Sequence, residues 1–244
     1  MMYLYAITDR PELPVPTEPG LEGTSLFSVT HQDIAAVVSP LATAQVPPTE
    51  DNVWQHEAVV EALMVDRAVL PVRFGTVLAD EAAIRADLAA HYTDFVVNLD
   101  RVRGRVELGL RVLWISDFRL PITQSQIEDR KPVLSGAEGS EIASGRAYLM
   151  ARLEEERQVR AWRQRAEALA EELHTPLAQL ATESTRQVLI TPRLLLTAAY
   201  LVERDQVAAF RREVEVLSAA YPALRFLCTG PWPAYNFVTV KSET

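Results

Sequence analysis

The 244-residue sequence predicts an α+β protein of two domains. Segments of β character and segments of helical character follow one another in both halves. The first half reads strand, hairpin, helix, strand, helix, strand; the second reads helix, strand, strand, helix, strand. Between them, residues 117–145 hold Pro121, Pro132, Gly136, Gly139 and Gly145 with little periodicity. Hydrophobic residues make up 48% and charged residues 23%, enough apolar material to bury a core in each half. Each half then fits a ferredoxin-like arrangement, an antiparallel sheet with helices on one face. The expected division is residues 1–120, a linker at 121–145, and residues 146–244 beginning with a long helix.

Residues 2–7, MYLYAI, are apolar and β-rich and read as the first strand. PELPVPTEPG follows, with four prolines that exclude helix and central strand, so it is a surface loop. TSLFSVTH and DIAAVVSP, separated at Gln32 and Asp33, read as a hairpin, and Pro40, Pro47 and Pro48 mark another loop. Thr49 opens a helix as its cap, with Asn52 as an alternative, and Glu50 and Asp51 suit its positive end. Val53, Val60, Leu63 and Met64 carry its helical spacing. VLPVRFGTVL is β-like and broken by Gly75. Residues 80–102 form one long helix or two short ones, with Ile84, Leu88, Tyr92 and Phe95 on one stripe. RVELGLRVLWI reads as a long strand whose inward set is Val106, Leu108, Leu110, Val112 and Trp114 or the alternate set; Gly109 marks a bulge or a close approach.

GRAYLMARLEEERQVRAWRQRAEALAEELH has no glycine or proline after Gly145 and predicts a long amphipathic helix. Its apolar stripe is Leu149, Leu153, Trp162, Ala166, Leu169 and Leu173. TRQVLI and RLLLTAAYLV, split at Thr191 and Pro192, read as antiparallel strands. Residues 205–221 form a helix capped by Asp205, with Val207, Phe210, Val214 and Leu217 inside. LRFLCTG is the last strand.

A net charge of −9 disfavours nucleic acid as a partner. Arg101, Arg103 and Arg105 are interrupted by Val102 and Gly104 and form no basic patch. Cys228 is the only cysteine, so no intrachain disulfide or CxxC metal site exists, which suits the cytoplasm. No signal peptide is expected at the N-terminus, and no run approaches ~18 apolar residues, so no membrane span is expected. Phosphate-cradling, dinucleotide, HExxH and GxSxG patterns are absent. His31, His56, His91 and His174 are scattered, and His56 and Glu57, adjacent on a helix, diverge by ~100°. No catalytic, cofactor-binding or metal-binding residue is assigned. Arg73 sits in a run that otherwise reads as buried, so it pairs with an acid such as Glu57 or Glu61 or contacts a partner.

Residues 56–81, HEAVVEALMVDRAVLPVRFGTVLADE, resemble the central signature of the gas vesicle GvpF/GvpL family. MYLYAI is similar to that family's first strand and GRAYLMAR to the start of its long helix. TGPWPAYNFV, residues 229–238, resembles its C-terminal motif, with Ala234 where the commoner form has proline. The resemblance implies a non-enzymatic, cofactor-free accessory protein of gas vesicle assembly, associated with the vesicle. It also implies two α+β domains, and as partners the hydrophobic shell protein and other vesicle accessory proteins. Arg73, Phe74, Trp232, Tyr235 and Phe237 are the candidates for partner binding or for an interface between domains. For the last three, exposure to a partner and a structural role at a corner stiffened by Pro231 and Pro233 are both open. The competing function is a ferredoxin-like regulatory module that binds a ligand.

Overall fold

A computed structural model describes residues 1–115, 138–188 and 193–238, with side chains from Tyr148 onward in the middle stretch. In the first sheet, β1 (Met2–Asp9) is flanked by β3 (Ile34–Pro40) and by β4 (Val69–Pro71), while β2 (Phe27–His31) pairs with β3 outside it. β5 (Val77–Leu78) also pairs with β1, beyond β4 along the same edge. All these pairings are antiparallel. The run from Tyr3 to Ile7 is apolar without alternation, as a strand covered on both faces requires. α1 (Glu50–Leu63) packs Val59, Val60 and Leu63 against Tyr3, Tyr5, Val37 and Val69. On the other face, α2 (Glu81–Ala90) and α3 (Tyr92–Val102) pack Ile84, Leu88, Phe95 and Leu99 against Leu4 and Ile7. Thr49 caps α1 through the Asn52 amide, as its sequence position predicts, and Asp80 caps α2 through the Ala83 amide.

In the second sheet the order is β7 (Glu183–Val188), β8 (Leu194–Glu203), β6 (Arg105–Trp114) and β9 (Leu224–Trp232), all antiparallel. β6 stands ahead of the linker expected at 121–145, yet it pairs with β8 and β9 from the second half. The strand pairing therefore divides the chain near Gly104, because the apolar set Val106, Leu108, Leu110 and Val112 finds its cover on the later helices. Residues 116–137, the greater part of the expected linker, lie outside the described residues. α4 (Glu138–Ala178) and α5 (Val207–Ala220) cover one face of this sheet. Ala166, Ala170, Leu173 and Leu177 of α4 and Phe210, Val214 and Leu217 of α5 pack there against Leu108, Leu110, Val112 and Tyr200. α4 starts earlier than its sequence signal and runs past His174, with Pro176 in its last turn. Asp205 is not the cap of α5: a short 3-10 turn at Arg204–Gln206 precedes that helix, whose N-cap is Gln206 without a side-chain bond. The α4 stripe is only half buried. Leu149 and Leu153 are 60% and 50% exposed, because the helix outruns the sheet at its N-terminal end.

Gly109 is both a bulge and a close approach, the two readings its sequence position offers. The β6–β9 register shifts between Glu107 and Gly109, and a Cβ at Gly109 would lie 2.7 Å from Thr229 Oγ1. Gly109→Ala is expected to cost ~1–3 kcal/mol. In urea titrations the loss should largely disappear in a Thr229→Ala background; an unchanged loss there would exclude this contact as the cause.

The uncovered face of the second sheet meets the first core. Ala199 and Leu201 of β8 join the α2–α3 side of that core, together with Ala234 and Phe237 from beyond β9. One apolar cluster thus spans both sheets.

Candidate functional site: an aromatic corner between the sheets

Beyond Trp232 the chain turns across the junction. Pro233, Ala234 and Phe237 are buried, Trp232 and Tyr235 are half-buried, and Asn236 is exposed. Three elements hold this corner. From β6, the buried Glu107 accepts from the Asn236 amide at 2.8 Å and from Asn236 Nδ2 at 2.5 Å. Burial pushes the Glu107 carboxyl up from its ordinary range, and the Asn236 bonds oppose that shift. From α1, Glu57 accepts the Tyr235 hydroxyl at 2.9 Å. Burial raises both the Glu57 carboxyl and the Tyr235 phenol. From α3, Arg101 Nη1 donates to the Phe237 carbonyl at 2.7 Å, and the same guanidinium pairs with Glu183 of β7.

His56, the neighbour of Glu57, is turned about 100° from it around the helix. It is 1% exposed, with its ring against Tyr3, Tyr5 and Phe74. The Gly75 amide donates to the Tyr3 oxygen at 3.1 Å, and the same oxygen hydrogen-bonds His56 Nδ1 at 3.0 Å. Burial lowers the His56 pKa to about 4, with the Val72 backbone partly opposing. This is a neutral packing histidine.

Arg73 does not pair with Glu57 or Glu61. Backbone bonding to β1 ends at Val72 and resumes at Thr76, so Arg73 lies in a loop and is exposed, with no ion pair among the described residues. The Thr76 amide and hydroxyl bond its carbonyl at 3.3 and 2.7 Å, and Gly75 supplies the φ of 86° that this turn needs. Phe74 packs half-buried against the α1-side core. The arginines near the end of α3, isolated in sequence, are each paired in space: Arg101 with Glu183, Arg103 with Asp9, and Arg105 with Glu203. Cys228 is half-buried at the edge of the second core. Trp232 lines one end of a groove of about 590 Å³ across the second sheet, beside Gly109, Thr197 and Thr229. Among the described residues, no group of three or more His, Cys, Asp or Glu is placed to hold a metal, and no helix is long and apolar enough to cross a membrane.

Glu107, Asn236 and Arg101 carry the corner and were not among the sequence candidates. Glu107 did leave a signal, a carboxylate inside the apolar run of RVELGLRV. Asn236 and Arg101 left none, since their partners are distant in sequence.

Two of the segments that carry the family resemblance, residues 56–81 and 229–238, thus touch through Glu57 and Tyr235. Residues 1–239 match the family described as "Gas vesicle synthesis protein GvpL/GvpF". The chain belongs to the GvpL/GvpF family. It is 33% identical over 264 residues to gas vesicle protein L of Streptomyces sp. (strain CB03234), covering 100% of this chain and 94% of that relative. It is 24% identical to gas vesicle protein F1 of Halobacterium salinarum, covering 98% and 93% respectively. Its fold matches the crystal structure of the gas vesicle protein GvpF from Anabaena sp. PCC7120 with a TM-score of 0.74 at 20% identity, over 100% of this chain and 98% of that one. The GvpF structure from Microcystis aeruginosa gives 0.73 at 20% identity, over 97% and 98%. The α+β architecture with two antiparallel sheets is that of these GvpF structures, and relatives within the GvpL/GvpF family carry both the F and the L name.

Proposed function

We propose that this chain is a non-enzymatic accessory protein of gas vesicle assembly that binds the hydrophobic shell protein and other vesicle accessory proteins. The observation that supports it most is on α4. Tyr148, Leu149, Met150 and Leu153 are 51%, 60%, 59% and 50% exposed within six residues of one helix. Apolar side chains on several sides of one helical stretch are costly in water and suit a site covered by an apolar partner. The aromatic corner divides in this reading. Phe237 and Tyr235 serve the joint between the sheets, while Trp232, Arg73 and Phe74 remain candidates for a second contact.

The test is a pull-down with purified shell protein. The Leu149→Glu/Leu153→Glu variant should lose capture by about tenfold or more with an unchanged melting temperature, since both residues are exposed. Trp232→Ala should lose less. Capture undiminished in the α4 variant would remove that helix as the surface, and no capture of the shell protein by the native chain would remove the reading.

A further inference from the structure

Four arginines converge on one cleft where the two sheets meet. Arg10 follows β1, Arg67 precedes β4, Arg103 joins α3 to β6, and Arg204 follows β8; the cleft between them measures about 220 Å³. Two carboxylates share it, and both are already engaged. Asp66 accepts from Arg67 Nε at 2.7 Å, and that bond holds its carboxyl below the ordinary range. Asp9 accepts from Arg103 at 3.0 Å and from the Ala68 amide at 2.8 Å.

Arg10 and Arg204 have no direct ion pair among the described residues. Arg10 Nη1 donates to the Asp66 carbonyl at 3.0 Å, and Arg204 Nη2 donates to the Met64 carbonyl. Both guanidinium groups thus bond carbonyls of one short loop at the end of α1, where the Asp66 carboxylate also attracts Arg10 but is itself bonded by Arg67. Four guanidinium groups line the cleft against two carboxylates, and the carbonyl end of α1 adds only about half a negative charge. The chain as a whole has a net charge of −9, so the cleft is a local reversal of sign. Arg10 also sits at φ 54°, a left-handed conformation uncommon outside glycine and the kind that is retained at sites where its cost is offset. Each guanidinium has five N–H donors in a planar fork, and Arg10 and Arg204 each spend only one group on these carbonyls.

We propose that this cleft binds a small multivalent oxyanion of the phosphate class, with Arg10 and Arg204 as its principal ligands and Arg67 and Arg103 forming the walls. Forked donors match tetrahedral oxyanions in geometry as well as charge. Arg10 extends from the first sheet and Arg204 from the second, so the bound ion clamps the two together.

The experiment is isothermal titration of the full chain with inorganic phosphate, with pyrophosphate and with a nucleoside diphosphate, at constant ionic strength set by sodium chloride. Saturable binding is expected, tighter for pyrophosphate than for phosphate. A nucleoside diphosphate that binds as tightly as pyrophosphate would identify the phosphates as the recognised group. Arg10→Gln and Arg204→Gln should each weaken binding by about tenfold, while Arg85→Gln, on α2 and outside the cleft lining, should leave it unchanged. Both substituted side chains are exposed, so the variants are expected to fold. Heats that do not saturate, or binding indifferent to Arg10→Gln and Arg204→Gln, would overturn the proposal and leave the arginines as caps of α1.

Discussion

Phe237→Ala is expected to destabilise the protein by ~3–5 kcal/mol, the usual cost of emptying a large aromatic site in a closed core. Phe237 is 7% exposed, and its cluster contains Leu4, Ile7 and Phe95 from the first sheet and its helices as well as Leu201 from the second. The loss should appear in urea denaturation as a lower midpoint. Trp232→Ala, at a half-buried position beside an open groove, should cost no more than about half as much. If Phe237→Ala cost under ~1 kcal/mol, the corner would be an appendage and its ties to Glu107, Glu57 and Arg101 would be surface decoration.

Acid is expected to weaken the fold through His56. Its pKa in the folded chain is about 4 against an ordinary 6.5, so the unfolded chain takes the proton first as pH falls. The stability tied to the neutral ring is complete above pH ~6.5 and is lost as pH drops toward 4, on the order of 3 kcal/mol across that interval. Glu57 and Glu107 act in the opposite sense. Burial raises both, so their contribution is present at low pH and is lost as pH rises through their folded values. The measurement is therefore a difference. Native stability minus that of His56→Gln should fall between pH 7 and pH 4.5, followed by urea titration at each pH. A difference that stays constant over that range would mean the ring is solvated enough to titrate normally.

The sequence displayed the elements well and their partnerships poorly. The prolines of residues 11–20, the cap at Thr49 and the apolar runs of β1, β8 and β9 are local signals, and the structure places loop, helix and strands there. β6 was legible as a strand but not as a member of the second sheet, because strand pairing is decided by which helices cover its apolar face. Arg73 read as buried for a similar reason. VLPVRFGTVL is continuous in sequence, but β4 and β5 take its two ends and leave Arg73 in water. On α4 the stripe was visible, but where the sheet beneath it ends was not. Of the corner, Trp232, Tyr235 and Phe237 announced themselves by size and by flanking prolines. Their hydrogen-bond partners did not, since Glu57 lies 178 residues from Tyr235 and Glu107 lies 129 from Asn236.

The sharing of one apolar cluster between residues near the start of the chain and Phe237 bears on synthesis. A ribosome releases Leu4 and Ile7 more than two hundred residues before it releases Phe237. Throughout that interval the nascent first domain carries an unsealed apolar surface at the place where Ala234 and Phe237 will dock. Native closure of this cluster therefore waits until Ala234 and Phe237 have left the ribosome.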